Sequence, residues 1–119
     1  MKVYRKVIVL ALIGALSLTS CAAIQQREAR GEEYWLATAG FQAEPADTPE
    51  KLANLRAMPP RELVSQVKDG NVTYSYADPD YCQCVYVGGS EAYAAYQRLL
   101  VEKKRDRERL EAATWPIHR

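Results

Sequence analysis

The sequence predicts an α+β domain: a short helix, a three-stranded antiparallel meander, and a long C-terminal helix packed on the sheet. Three observations predict it. Thr48-Pro49-Glu50 opens a stretch with helical spacing that Pro59-Pro60 closes. Asp69-Gly70 and Asp78-Pro79-Asp80 separate three runs rich in strand-favouring residues. Ser90 then starts a run of about 25 residues with an apolar face in its first half only.

The elements follow in chain order. Tyr34 to Phe41 is the first apolar stretch of the folded part and reads as a short strand or an apolar arm, with a bend at Gly40. Residues 43–47, AEPAD, read as turn. Thr48 or Asp47 caps the short helix, Pro49 suits its first position, and Glu50 favours its positive end. Leu52, Leu55 and Met58 share one side, and the double proline stops the helix. Leu63 to Lys68 leads into the hairpin dipeptide Asp69-Gly70. In Asn71 to Ala77, Val72, Tyr74 and Tyr76 alternate with Thr73 and Ser75. Tyr81 to Val87 reads as the third strand, with Cys82, Cys84 and Tyr86 on one face. In the last helix Ala92, Tyr93, Tyr96, Leu99 and Leu100 make the apolar face. Glu102 to Arg109 is charged throughout and reads as a solvated half that ends at Trp115-Pro116.

The 119 residues suffice for one such domain, read as 34–119. What precedes it is of another kind. Lys2, Arg5 and Lys6 stand before an uncharged run from Val7 to Leu18, which has the length of a signal-peptide h-region and falls short of the ~20 apolar residues of a spanning helix. It ends in Leu18-Thr19-Ser20-Cys21, which resembles the lipobox of bacterial lipoproteins. That resemblance implies a signal peptide over 1–20, cleaved before Cys21, with acyl chains on the sulfur and new N-terminus of Cys21. Several chains at ~0.8 kcal/mol per buried CH₂ hold such an anchor permanently, whereas one chain is marginal. Residues 21–33 then read as lipid anchor and flexible tether. Ala22, where an aspartate would favour the inner membrane, leans toward the outer membrane, with the domain facing the periplasm.

The chain carries 16 Lys and Arg against 15 Asp and Glu, a net +1. Without Lys2, Arg5 and Lys6 the balance is 13 to 15, a net −2, so no nucleic-acid partner is expected. The expected partners are the membrane, through the lipid, and another envelope protein or the cell wall.

The middle of the chain resembles a group of small proteobacterial lipoproteins to which no activity is assigned. Ala39-Gly40-Phe41, Thr48-Pro49-Glu50, Pro59-Pro60, Leu63-Val64, and above all Tyr76 to Gly88, YADPDYCQCVYVG, with Tyr93 and Tyr96, carry the likeness over residues 39–99. It implies a shared fold and an envelope location, and lends no activity.

Cys82 and Cys84 are the one pair able to carry chemistry. On a regular strand their Cα atoms would stand ~6.6–6.8 Å apart, the limit for a disulfide, so a bridge needs a kink or bulge. Three readings stand side by side: structural sulfurs, a redox-active bond exchanging with a client thiol, and soft-metal capture, since two thiolates suit Cu(I). No further Cys or His lies near, and the single histidine is His118, so no resident metal or cofactor is expected. The six tyrosines from Tyr74 to Tyr96 either line a groove or, as favoured, fill the core between sheet and helix. Asp78 and Asp80 read as turn residues. No catalytic constellation, zinc spacing or phosphate loop is present, so a non-catalytic protein is expected.

Overall fold

The computed structural model describes residues 2–114, with side chains from 21 onward. The chain order is α1 (Lys2–Ala39), β1 (Gln42–Pro45), α2 (Pro49–Ala57), β2 (Leu63–Lys68), β3 (Asn71–Asp78), β4 (Cys84–Gly88) and α3 (Ser90–Thr114). It forms two compact units, Met1–Glu32 and Glu33–Arg119. The first is helix. The second holds the end of α1 and everything after it. Among the described residues no helix is long and apolar enough to cross a membrane. The expected helix end at Trp115-Pro116, and His118, lie outside the described residues.

The class is α+β as expected, with two corrections. The sheet has four strands in the order β1-β4-β3-β2, all antiparallel, rather than three. The added edge strand β1 covers most of the segment read as turn. It pairs with β4 from Gln42↔Val87 to Pro45↔Cys84, and its four residues are exposed. Its place comes from backbone pairing, and its closing proline is tolerated because the strand is an edge.

The second correction concerns residues 21–39, which are helical where tether and then strand or arm are expected. Ala, Gln, Arg and Glu dominate 22–33, and these residues lose little conformational freedom in a helix. The helix ends at Gly40 (φ +109°), where the N–H of Gly40 bonds the Ala37 carbonyl at 3.1 Å and that of Phe41 bonds the Leu36 carbonyl at 3.0 Å. This is a Schellman cap, and its apolar pair, Leu36 and Phe41, lies at the centre of the core.

Around that centre the sheet presents tyrosines. Tyr76 faces Leu63 on one side and Tyr86 on the other, and Tyr74 stacks on Tyr93 of α3 with ring centroids 4.0 Å apart. Tyr76 and Tyr96 are buried with Leu36 and Phe41, and Ala92, Tyr93 and Leu100 close the same cluster. Five of the six tyrosines thus fill the sheet–helix core and its rim, while Tyr81 lies in the connection from β3 to β4 with Arg61 over its ring. From Val101 to Thr114 every residue of α3 is exposed.

Leu55 of α2 is buried and, with Met58, lines a cleft with Val85, which on β4 faces away from Tyr86. Thr48 caps α2 by accepting the N–H of Lys51 at 3.1 Å, Pro49 opens it, and extended Met58 ends it before the double proline. The β2–β3 hairpin turns at Asp69 (φ +53°) and Gly70 (φ +79°), the two left-handed residues a type I′ turn requires.

Candidate functional site

The third strand starts at Cys84, not Tyr81, so Cys82 lies in the connection from β3 and the two cysteines do not share a strand face. The reason is Asp78. Its side chain is fully buried and accepts the backbone N–H groups of Asp80 and Tyr81 at Oδ1 (3.2 and 3.1 Å) and of Cys82 at Oδ2 (3.5 Å). Donors that a longer strand would offer to a neighbour are turned inward onto one carboxylate. Gln83 then reverses the chain in the left-handed region (φ +51°), and its carbonyl accepts the N–H of Ala46 at 3.0 Å.

That reversal brings the Cα atoms of Cys82 and Cys84 to 5.2 Å, and a disulfide joins them. The kink that a bridge requires is therefore a single residue, Gln83. The two cysteines differ in access: Cys82 is exposed and Cys84 is buried. Cys21, the expected lipid-bearing residue, is exposed on α1.

Two residues outside the sequence expectation complete the site. Glu33, near the end of α1, puts a carboxylate oxygen within 4.8 Å of both sulfurs, and its Oε1 is closed to solvent. It also hydrogen-bonds Asp78. Two carboxyl groups can bond each other only if one holds a proton. Burial pushes the Asp78 carboxyl up. The Glu33 side chain and the N–H groups of Tyr81, Cys82 and Asp80 more than reverse this and hold it below its ordinary value. The pair therefore shares one proton.

Arg61 is the second residue. Pro60 bridges to Ala77, and Arg61, left-handed at φ +56°, donates its N–H to the Ala77 carbonyl at 2.7 Å. This anchoring sets the guanidinium against Asp80, 3.9 Å from Asp78 Oδ1 and 5.7 Å from the Tyr81 ring centre. Tyr86, on β4, is raised above its ordinary value by burial first and then by the charges of Glu33 and Asp78.

The site is thus a disulfide with one accessible and one enclosed sulfur, backed by a carboxyl pair that shares a proton. Asp80 is a turn residue, as expected, whereas Asp78 is the last residue of β3, paired with Cys84, and its side chain is the buried hub of the turn that follows. Glu33 and Arg61 were missed for want of a signal: one sits in a polar stretch, the other behind two prolines. Comparison of the chain with protein-family models, with curated proteins and with solved structures finds no match.

Proposed function

We propose that this chain is a component of a bacterial cell envelope, lipid-anchored through Cys21, whose domain binds another envelope protein or the cell wall without catalysing a reaction. The observation that carries the location is the Cys82–Cys84 disulfide. Such bonds persist in exported proteins and are rare in the reducing cytosol, so it agrees with the lipobox reading of residues 18–21 on independent grounds. Ala22 favours the outer membrane, with the domain on the periplasmic side.

A broad contact with a macromolecule is favoured over capture of a small molecule. The cleft between β1, α2 and β4, lined by Pro45, Leu55, Met58 and Val85 among others, holds about 180 Å³. That is below the ~300–1,000 Å³ usual for small-molecule sites, and the roomier hollow of about 390 Å³ beside Gln97, Arg98, Val101, Glu102 and Arg105 is an open stretch along one face of α3 alone.

Mass spectrometry of the mature N-terminus tests the anchor. A chain starting at acylated Cys21 is expected, with Cys21→Ser blocking processing and releasing no mature lipoprotein to the membrane. Normal processing and unchanged membrane retention of that variant would remove the basis of the reading. Gentle crosslinking of the lipidated protein is expected to recover one stoichiometric envelope partner, and recovery of the chain alone would overturn the binding role.

A further inference from the structure

We propose that the Cys82–Cys84 bond is a thiol–disulfide exchange centre for protein dithiols, in which Cys82 is the sulfur attacked and Glu33 supplies the proton to Cys84. This replaces the purely binding role above with a reaction at this one site, and it does not depend on the lipid.

Access sets the direction of attack. Cys82 is exposed, whereas Cys84 is 6% exposed, so an incoming thiolate meets Cys82 and Cys84 becomes the leaving sulfur. A thiolate at Cys84 would form in an enclosed place beside an ionised Asp78, which disfavours it on both counts. A proton delivered as the bond breaks removes that penalty. Glu33 stands where the donor is needed. Its carboxylate oxygen is within 4.8 Å of the sulfur, a gap that one water spans, and the proton it shares with Asp78 is available there. The titratable groups facing this proton are Asp78 of β3 and Tyr86 of β4, with Arg61 and Asp80 against Asp78.

The backbone favours opening. Gln83 is held in the left-handed region that residues with side chains rarely adopt, and breaking the sulfur bridge removes one of the restraints that keep it there.

The reaction balances as follows. A client thiolate attacks Cys82 Sγ, the Cys82–Cys84 bond breaks, a mixed disulfide forms, and Glu33 gives its proton to Cys84. The client's second thiol, losing its proton to solvent, attacks the client sulfur of the mixed disulfide. Cys82 leaves as a thiolate and takes up a proton from solvent, and the Glu33–Asp78 pair regains its shared proton from solvent. The client dithiol is oxidised to a disulfide, and the pair on this chain is reduced to two thiols.

The test uses the lipidated full-length protein in detergent, reduced with dithiothreitol between pH 5 and 8 and quenched with N-ethylmaleimide for mass spectrometry. Glu33→Gln is expected to slow reduction at least ~10-fold per dithiothreitol thiolate at the acid end, since proton transfer by a positioned group contributes ~10²–10⁴-fold. The advantage of the wild-type protein is expected to be largest at the acid end, where the carboxyl pair keeps its shared proton. A merely structural Glu33 would loosen the turn when replaced and speed reduction. Equal or faster reduction of Glu33→Gln across the range overturns the proposal. Cys84→Ser is expected to trap glutathione disulfide as a mixed disulfide on Cys82, while Cys82→Ser leaves Cys84 at least ~10-fold less reactive. Equal reactivity of the two sulfurs would also overturn it.

Discussion

Replacing Asp78 by alanine is expected to destabilise the domain by about 3–5 kcal/mol. The side chain is fully buried, takes three backbone N–H groups and the Glu33 carboxyl, and faces Arg61 at 3.9 Å. Each buried donor left without an acceptor costs ~1–3 kcal/mol, and breaking a buried charged network costs ~3–5 kcal/mol. Water reaches part of the 79–82 turn, so the three donors do not sum in full, and the network figure is the better guide. Against a whole-domain stability of ~5–15 kcal/mol this is a large fraction, and at ~4–8 °C per kcal/mol the melting temperature falls by more than about 12 °C. Asp78→Asn keeps an acceptor for Asp80 and Tyr81 and is expected to lose only about 1–2 kcal/mol. The pH dependence separates charge from shape. The folded-state pKa of Asp78 lies below its ordinary value of 3.8. Its contribution is therefore complete above the unfolded-state value and fades as pH falls through the folded-state one. Wild-type stability should decline below about pH 4, and Asp78→Asn should lack that component. Urea titrations of all three proteins from pH 2.5 to 7 provide the measurement. A loss under about 1 kcal/mol for Asp78→Ala at pH 7 would refute the assignment of Asp78 as the hub of the turn.

Three further outcomes follow from particular contacts. Gly88→Ala places a Cβ 2.8 Å from the Phe41 ring, so overpacking of about 1–3 kcal/mol is expected in denaturant titration; a neutral result would mean that Phe41 is free to shift. Gln83→Gly relieves the left-handed backbone and is expected to raise stability by about 0.5–1 kcal/mol, visible as a higher urea midpoint at unchanged slope. Cys82→Ser with Cys84→Ser opens a very short ring, whose chain-entropy contribution is only about 1–2 kcal/mol, so the double variant should stay folded by circular dichroism.

Much of the sheet and two helices are legible because local chemistry and tertiary packing agree there. Thr48-Pro49-Glu50 caps what it promises to cap, Asp69-Gly70 makes the turn its dihedrals suit, and the alternation of Val72, Tyr74 and Tyr76 matches a strand with one covered face. The failures have a different physical origin. Tyr34 to Ala39 is apolar enough to pass for a strand, and what makes it helix is the good helix-forming stretch before it together with the cap at Gly40. β1 shows no alternation because all four residues are exposed, so only its pairing with β4 defines it. At the site, Cys82 and Cys84 are visible from their spacing. Glu33 and Arg61 are not, because each is brought in by an element whose own position the sequence does not announce.

Where the chain breaks its local rules bears on what the site does. Among the described residues three without the freedom of glycine adopt positive φ: Arg61, Asp69 and Gln83. Asp69 is explained by its hairpin. Arg61 and Gln83 lie 22 residues apart in sequence yet serve one turn, the first setting a guanidinium against Asp78 and Asp80, the second closing the sulfur ring. Each such residue costs ~1–3 kcal/mol and persists only where its surroundings over-determine it. A turn meant only to join β3 to β4 has glycine and asparagine as cheaper solutions. These strained residues hold a charged buried acid, a carboxyl partner and an accessible sulfur at fixed distances, an arrangement consistent with the proposed exchange chemistry. Gln83→Gly therefore carries a second consequence: it should stabilise the fold while making the sulfur bond harder to reduce, because opening it no longer releases backbone strain. A variant that is more stable and just as easily reduced would separate the strain at Gln83 from the chemistry of the sulfurs.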